Sequence, residues 1–232
     1  MKTHNIQPAI SAIALGLIAL GASIAPVQAG VTMSSPSLPP IGNDVNSLPT
    51  GYLTPTEVHA LFSGPGLAVV LKQVIHQPFA VTGRFPQADG SEIEEFSSTL
   101  DGLFSVNGSP FSPFHAEGPA MTRVNYPAGG GGPLGTFPTE MLSLNLVGAG
   151  AMIRESPTLQ SQGLTQVQNV PGGFLIDSFF DVFTELSVDG GATWIPASGG
   201  PAHVELKVVP EPATAALLAF GAFGLLGMRR RQ

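Results

Sequence analysis

The sequence predicts an all-β domain: an antiparallel β-sandwich, jelly-roll-like or Ig-like, with one short N-terminal helix, set between a signal peptide and a C-terminal transmembrane helix. Three observations predict it. Apolar and polar residues alternate over several short runs, turn-forming residues separate those runs, and no ten-residue helical repeat lies between them. The turn formers are abundant, with 29 glycines and 22 prolines in 232 residues, above the usual combined share of about 12%.

The elements follow in chain order. Residues 1–29 place Lys2 ahead of an apolar region from about Ile10 to Ile24, then Pro26 and the small-residue site Val27, Gln28, Ala29. This is the layout of a secretory signal peptide, since the apolar run is short and ends without a basic stop. Residues 30–53 are rich in Ser, Pro, Asn and Gly and read as an extended or irregular lead-in. Thr54, Pro55 and Glu57 then supply a candidate N-cap, a proline at the first helical position and a capping-box glutamate, ahead of Val58, Leu61 and Phe62. The short helix is expected here, ending before Gly64.

From there the period is two. Phe79, Val81, Gly83 and Phe85 alternate with Ala80, Thr82 and Arg84; Leu142, Leu144 and Leu146 alternate with Ser143 and Asn145; Val204, Leu206 and Val208 alternate with Glu205 and Lys207. Further strands are expected over 67–76, 92–106, 121–126, 151–155 and 176–188. The exported all-β domain therefore covers 54–208.

Charge narrows the partners. Between Gly30 and Pro212 lie all sixteen acidic residues and five basic ones, Lys72, Arg84, Arg123, Arg154 and Lys207, a net charge of −11. Nucleic acid is not an expected partner, because binding phosphate requires a basic surface. With no cysteine, a disulfide framework, a thiolate metal site and a cysteine nucleophile are excluded.

The last residues have three parts in order: Pro210, Glu211 and Pro212, an uncharged segment 213–228, and Arg229, Arg230 and Arg231. A sixteen-residue helix is roughly 24 Å long, so it spans the hydrocarbon core of about 30 Å only with help from flanking residues and snorkelling arginines. The arginines stay on the cytoplasmic side, which leaves everything before Val209 outside. The two prolines keep a helix from running back into the domain.

This tail resembles the PEP-CTERM sorting signal of bacterial surface and exported proteins, with Pro210, Glu211 and Pro212 as its namesake motif. The resemblance covers about a tenth of the chain. It implies recognition by an exosortase, contact with the export machinery and membrane before processing, and delivery to the cell surface or extracellular matrix, where extracellular polysaccharide is a partner to consider. The run from Phe179 to Leu186 is similar to central regions of other proteins that bear this tail, without indicating what they do.

Inside the domain, Ser187, Asp189, Gly191, Thr193 and Trp194 fit the pattern Ser-x-Asp-x-Gly-x-Thr-Trp, which resembles the Asp-box of sialidases and other secreted β proteins. Here it reads as a structural hairpin: Asp189 bonds backbone donors, Gly190 and Gly191 supply positive φ, and Trp194 packs against the turn. A propeller would carry several copies. Trp194 is the one tryptophan and a candidate contact for a sugar face.

Other constellations are weaker. Asp89, Glu92, Glu94 and Glu95 crowd into seven residues, but their spacing fits no calcium loop, and they read as a solvated turn entering an exposed strand. Asp177, Asp181 and Glu185 fall on one side of a strand and are a candidate carboxylate pair for glycoside hydrolysis. His59, His76, His115 and His203 lack metal-ligand spacing, and Gly129–Gly132 lacks the Gly-Lys-Ser/Thr ending of a phosphate loop. No catalytic residue, metal or cofactor is expected. The sequence thus suggests a non-catalytic exported protein of structural or adhesive role, with a carbohydrate-binding module and a secreted hydrolase as alternatives.

Overall fold

The computed structural model describes residues 30–40, 49–56, 58–126 and 134–209. The expected signal peptide, Glu57, the 129–132 glycine run and the tail from Pro210 onward lie outside the described residues. Within them every regular element is a strand. In order these are β1 (Val31–Met33), β2 (Thr50–Leu53), β3 (Val58–Gly64), β4 (Leu67–Pro86), β5 (Glu92–Val106), β6 (Ser112–Val124), β7 (Gly135–Gly148), β8 (Ala151–Glu155), β9 (Ser161–Val170), β10 (Gly173–Val182), β11 (Thr184–Ser187), β12 (Ile195–Pro196) and β13 (Ala202–Val208).

The strands close on themselves. Pairing runs β2, β4, β5, β6, β7, β9, β10, β13 and back to β2, antiparallel throughout. The expectation of a two-sheet sandwich is therefore corrected to a closed eight-stranded antiparallel barrel. Alternation alone could not separate the two, because inward and outward residues alternate in both. What decides is curvature. The twenty-residue β4 carries register shifts at 72/75, 78/80 and 81/83, with Gln73 at φ 52°, and such bulges bend a strand and increase its twist. Gly163 in β9 tightens the opposite wall, where a Cβ would sit 2.2 Å from the Phe179 carbonyl oxygen.

The remaining strands extend the same eight staves. β3 continues β2 along β4, β8 precedes β9 along β7, β11 continues β10 along β8, and β12 pairs with β11. A bridge between Phe62 and Ala197 completes this second level. Four staves are thus continuous and four are interrupted, at 54–56, 156–160, 183 and 197–201.

The expected helix at Thr54 is also corrected. The two threonine hydroxyls are used locally, Thr54 Oγ1 with His59 Nδ1 at 2.6 Å and Thr56 Oγ1 donating to the Val58 carbonyl at 2.9 Å. Ala60 and Phe62 point inward and Leu61 outward, a period of two imposed by pairing with β4. Two pieces of the 30–53 segment, β1 and β2, join the wall, and Leu38 is buried.

The core is mixed. Phe62, Leu71, Phe137, Leu146, Ile176, Leu186 and Leu206 fill it, as the narrow interior of an eight-stranded barrel allows. Tyr52, His76, Glu94, Thr165 and Ser178 are buried among them. The row Phe79, Val81 and Phe85, by contrast, faces solvent, because β4 runs past the end of β2 there and its bulges rotate the strand.

Candidate functional site

The wall ends where the tail begins. β13 finishes at Val208, and the Val209 amide donates to the Pro49 carbonyl at 2.7 Å. Gly30, at the other end of the described chain, packs against Leu175 and Ile176 on the same half of the barrel. The two expected addresses therefore attach to one half, and the Asp-box hairpin stands at the opposite pole, beyond β11. Pro210, Glu211, Pro212 and Arg229–Arg231 lie outside the described residues.

The Asp-box segment is a self-bonded turn. Ser187 Oγ donates to Asp189 Oδ1 at 2.8 Å and accepts from the Gly191 amide at 2.9 Å. Asp189 accepts from the Thr193 amide at 2.9 Å and from the Thr193 hydroxyl at 2.6 Å. These bonds, the Thr193 hydroxyl first, pull the Asp189 pKa down to about 2. Gly190 and Gly191 take φ of 71° and 91°. Trp194 has one face covered: the Arg154 guanidinium lies 4.0 Å from its ring centre.

Arg154 links that ring to a carboxylate. Its Nε and Nη2 both donate to Glu185 Oε2, at 2.9 and 2.6 Å, and Ser156 Oγ reaches Glu185 Oε1 at 3.3 Å. Asp181 is held by His203 Nδ1 at 2.7 Å. Asp177, Asp181 and Glu185 do share the outer face, but residues four apart on a strand are separated by about 13 Å, beyond the 5–10 Å of a glycosidase pair. The fold does not bring them together.

A different acid has a perturbed environment. Glu155 is buried beside a cleft of about 190 Å³ that Glu140 also lines. Burial raises its pKa to about 7, although Ser161 Oγ donates to it at 3.1 Å. Nothing in its spacing marked it, because the Ser156–Gln160 excursion that buries it reads simply as a loop.

The acidic turn is likewise corrected. Asp89 is spent on the Ser91 amide and hydroxyl, at 2.9 and 2.6 Å. Glu94 is not solvated but fully buried, and Arg84 Nη1 reaches it at 2.6 Å and Glu92 at 3.0 Å. Arg84 Nη2 also donates to the Leu38 carbonyl, tying the lead-in to β4. Burial lifts Glu94 to about 8 against the pull of Arg84.

Of the histidines, His115 pairs with Asp101 at 2.7 Å, and His76 is buried with its Nε2 unpartnered. His59 and His203, remote in sequence, line one pocket. The signal that could have found it was Thr54-x-Thr56, read there as a helix start. No three His, Asp or Glu side chains converge to hold a metal among the described residues.

Residues 208–231 match the PEP-CTERM protein-sorting motif. Neither a curated protein nor a solved structure matches the chain. The chain thus carries the signal of an exported protein that an exosortase processes, and its barrel begins and ends beside that signal.

Proposed function

We propose that the barrel is a non-catalytic element delivered to the cell surface or extracellular matrix, where it serves a structural or adhesive role. The observation that carries this reading is the junction: the sorting motif starts at Val208, the last residue of the closing strand. A cut beyond Val209 leaves every described ladder of the wall in place. Two of the carboxylates that the sequence offers for glycoside hydrolysis support the same reading, since Glu185 and Asp181 are occupied by Arg154 and His203.

The experiment is fractionation of cells expressing the full chain or a chain lacking Pro210–Gln232, with and without the exosortase. The full chain should reach the surface or matrix only when the enzyme is present, and the truncated chain should stay soluble outside the cytoplasm. Identical fractionation of both chains contradicts the proposal. A panel of polysaccharide and ester substrates tests the non-catalytic part, and turnover lost on Glu155→Gln would overturn it.

A further inference from the structure

The staves β2/β3 and β12/β13 part between two anchors. Leu53 lies opposite Glu205 at one end, and at the other the Ser198 amide donates to the Leu61 carbonyl at 2.8 Å. The space between them is a pocket of about 350 Å³, within the 300–1,000 Å³ range typical of small-molecule sites. Both interruptions that create it are local in origin: Pro55 follows Thr54 on one side, and Gly199, Gly200 and Pro201 interrupt the other.

The walls are chosen for a neutral ligand. No Asp, Glu, Lys or Arg lines the pocket among the described residues. Thr54 Oγ1 holds His59 Nδ1 at 2.6 Å, and burial pushes this imidazole down to about 4, so it is uncharged at neutral pH. Its other nitrogen makes no hydrogen bond among the described residues. His203, on the facing stave, is charge-compensated outside the pocket, with Nδ1 on Asp181 at 2.7 Å and Nε2 on Glu205 at 3.3 Å. The Phe179 ring, 5.3 Å away, packs against it.

The described lining gives an anion or a cation no free counter-charge, and desolvating either one here is a large cost. A ligand with many hydroxyls and exposed C–H faces fits instead: the Thr54–His59 pair keeps a group free to donate or accept at each end, and the Thr56 oxygen, its proton on the Val58 carbonyl, still accepts, beside the aliphatic side chains of Val58 and Leu61. We propose that this gap is a binding site for a neutral sugar residue, such as one unit of a polysaccharide chain. It is independent of the sorting motif, and it places recognition away from Trp194.

The test uses the full chain in detergent, titrated with neutral sugars (glucose, galactose, mannose, N-acetylglucosamine and their short oligomers) and with glucuronic acid as the anionic comparison. Binding is read by calorimetry and by the imidazole C–H resonances of His59 and His203. The expected result is saturable binding of at least one neutral sugar, with both histidines shifting together. Thr54→Val should weaken it about tenfold or more by removing a hydrogen-bonding group. Val58→Trp, a change at a solvent-exposed rim position, should block it without touching the core, and Trp194→Ala should leave it unchanged. No binding by any neutral sugar, binding of glucuronic acid alone, or binding that survives Val58→Trp would each overturn the proposal.

Discussion

The guanidinium of Arg154 is held between two partners, the Trp194 ring 4.0 Å from it on one side and the Glu185 carboxylate at 2.6 Å on the other. That relationship joins the Asp-box hairpin to β8 and β11, and it explains what the single tryptophan does. Removing the ring in Trp194→Ala should cost about 0.5–2 kcal/mol, read as a lower urea midpoint. Arg154→Leu should cost at least as much, because it also strands Glu185, and the double variant should cost less than the sum of the two.

Asp189 anchors the turn through its ionised form. Its pKa is lowered to about 2 in the fold from 3.8, so its contribution is present above about pH 4 and is lost as pH falls through 2. The stability difference between the wild-type chain and Asp189→Asn should accordingly be constant from pH 5 to 8 and shrink toward pH 2. Thermal melts across that range check it, and a constant difference down to pH 2 would contradict it.

Glu94 acts in the opposite sense. Its pKa is raised from 4.5 to about 8, so the folded chain holds a proton that the unfolded chain releases, and stability from this group declines as pH rises from 4.5 through 8. Glu94→Gln should flatten that decline in urea titrations between pH 5 and 9. Arg84→Leu should destabilise by about 3 kcal/mol or more at pH 9, where it leaves a buried carboxylate without its cation.

His76 and His59 together supply the acid limb. Burial lowers each to about 4 from 6.5, so the fold keeps both neutral while the unfolded chain protonates, and stability falls as pH drops from 6.5 toward 4. His76→Phe removes one of these titrating groups and should reduce the loss between pH 6.5 and 4.5, measured as the change in urea midpoint. An unchanged acid slope would place the sensitivity elsewhere.

Much of the wall was legible in the sequence. The alternation at Leu144 and Leu146 and at Val204 and Leu206 marks residues that are buried, and the Asp-box residues form the hydrogen-bonded turn their spacing implies. Closure was not legible, because it depends on bulges such as that near Gln73 and on pairings between β13 and β2 some 150 residues apart. Local chemistry also misled where two elements share a start signal. Thr54-Pro55-Thr56 suits a helix N-terminus, yet the same hydroxyls close a bend between two strands. Burial of Glu94 and Glu155 was hidden for a related reason: each sits at an ordinary alternating position, and only the curvature of the barrel decides which side is inside.

This chain carries a sorting signal that begins at the end of β13. The most direct measurement is the intact mass and C-terminal peptide of the protein recovered from the surface or medium, in cells with and without exosortase. The expected protein retains the barrel through Val209 but lacks Arg229–Gln232, and is found there only when the enzyme is present. Recovery of the same chain ending at Gln232, in the same fraction with or without the enzyme, would contradict sorting by that signal.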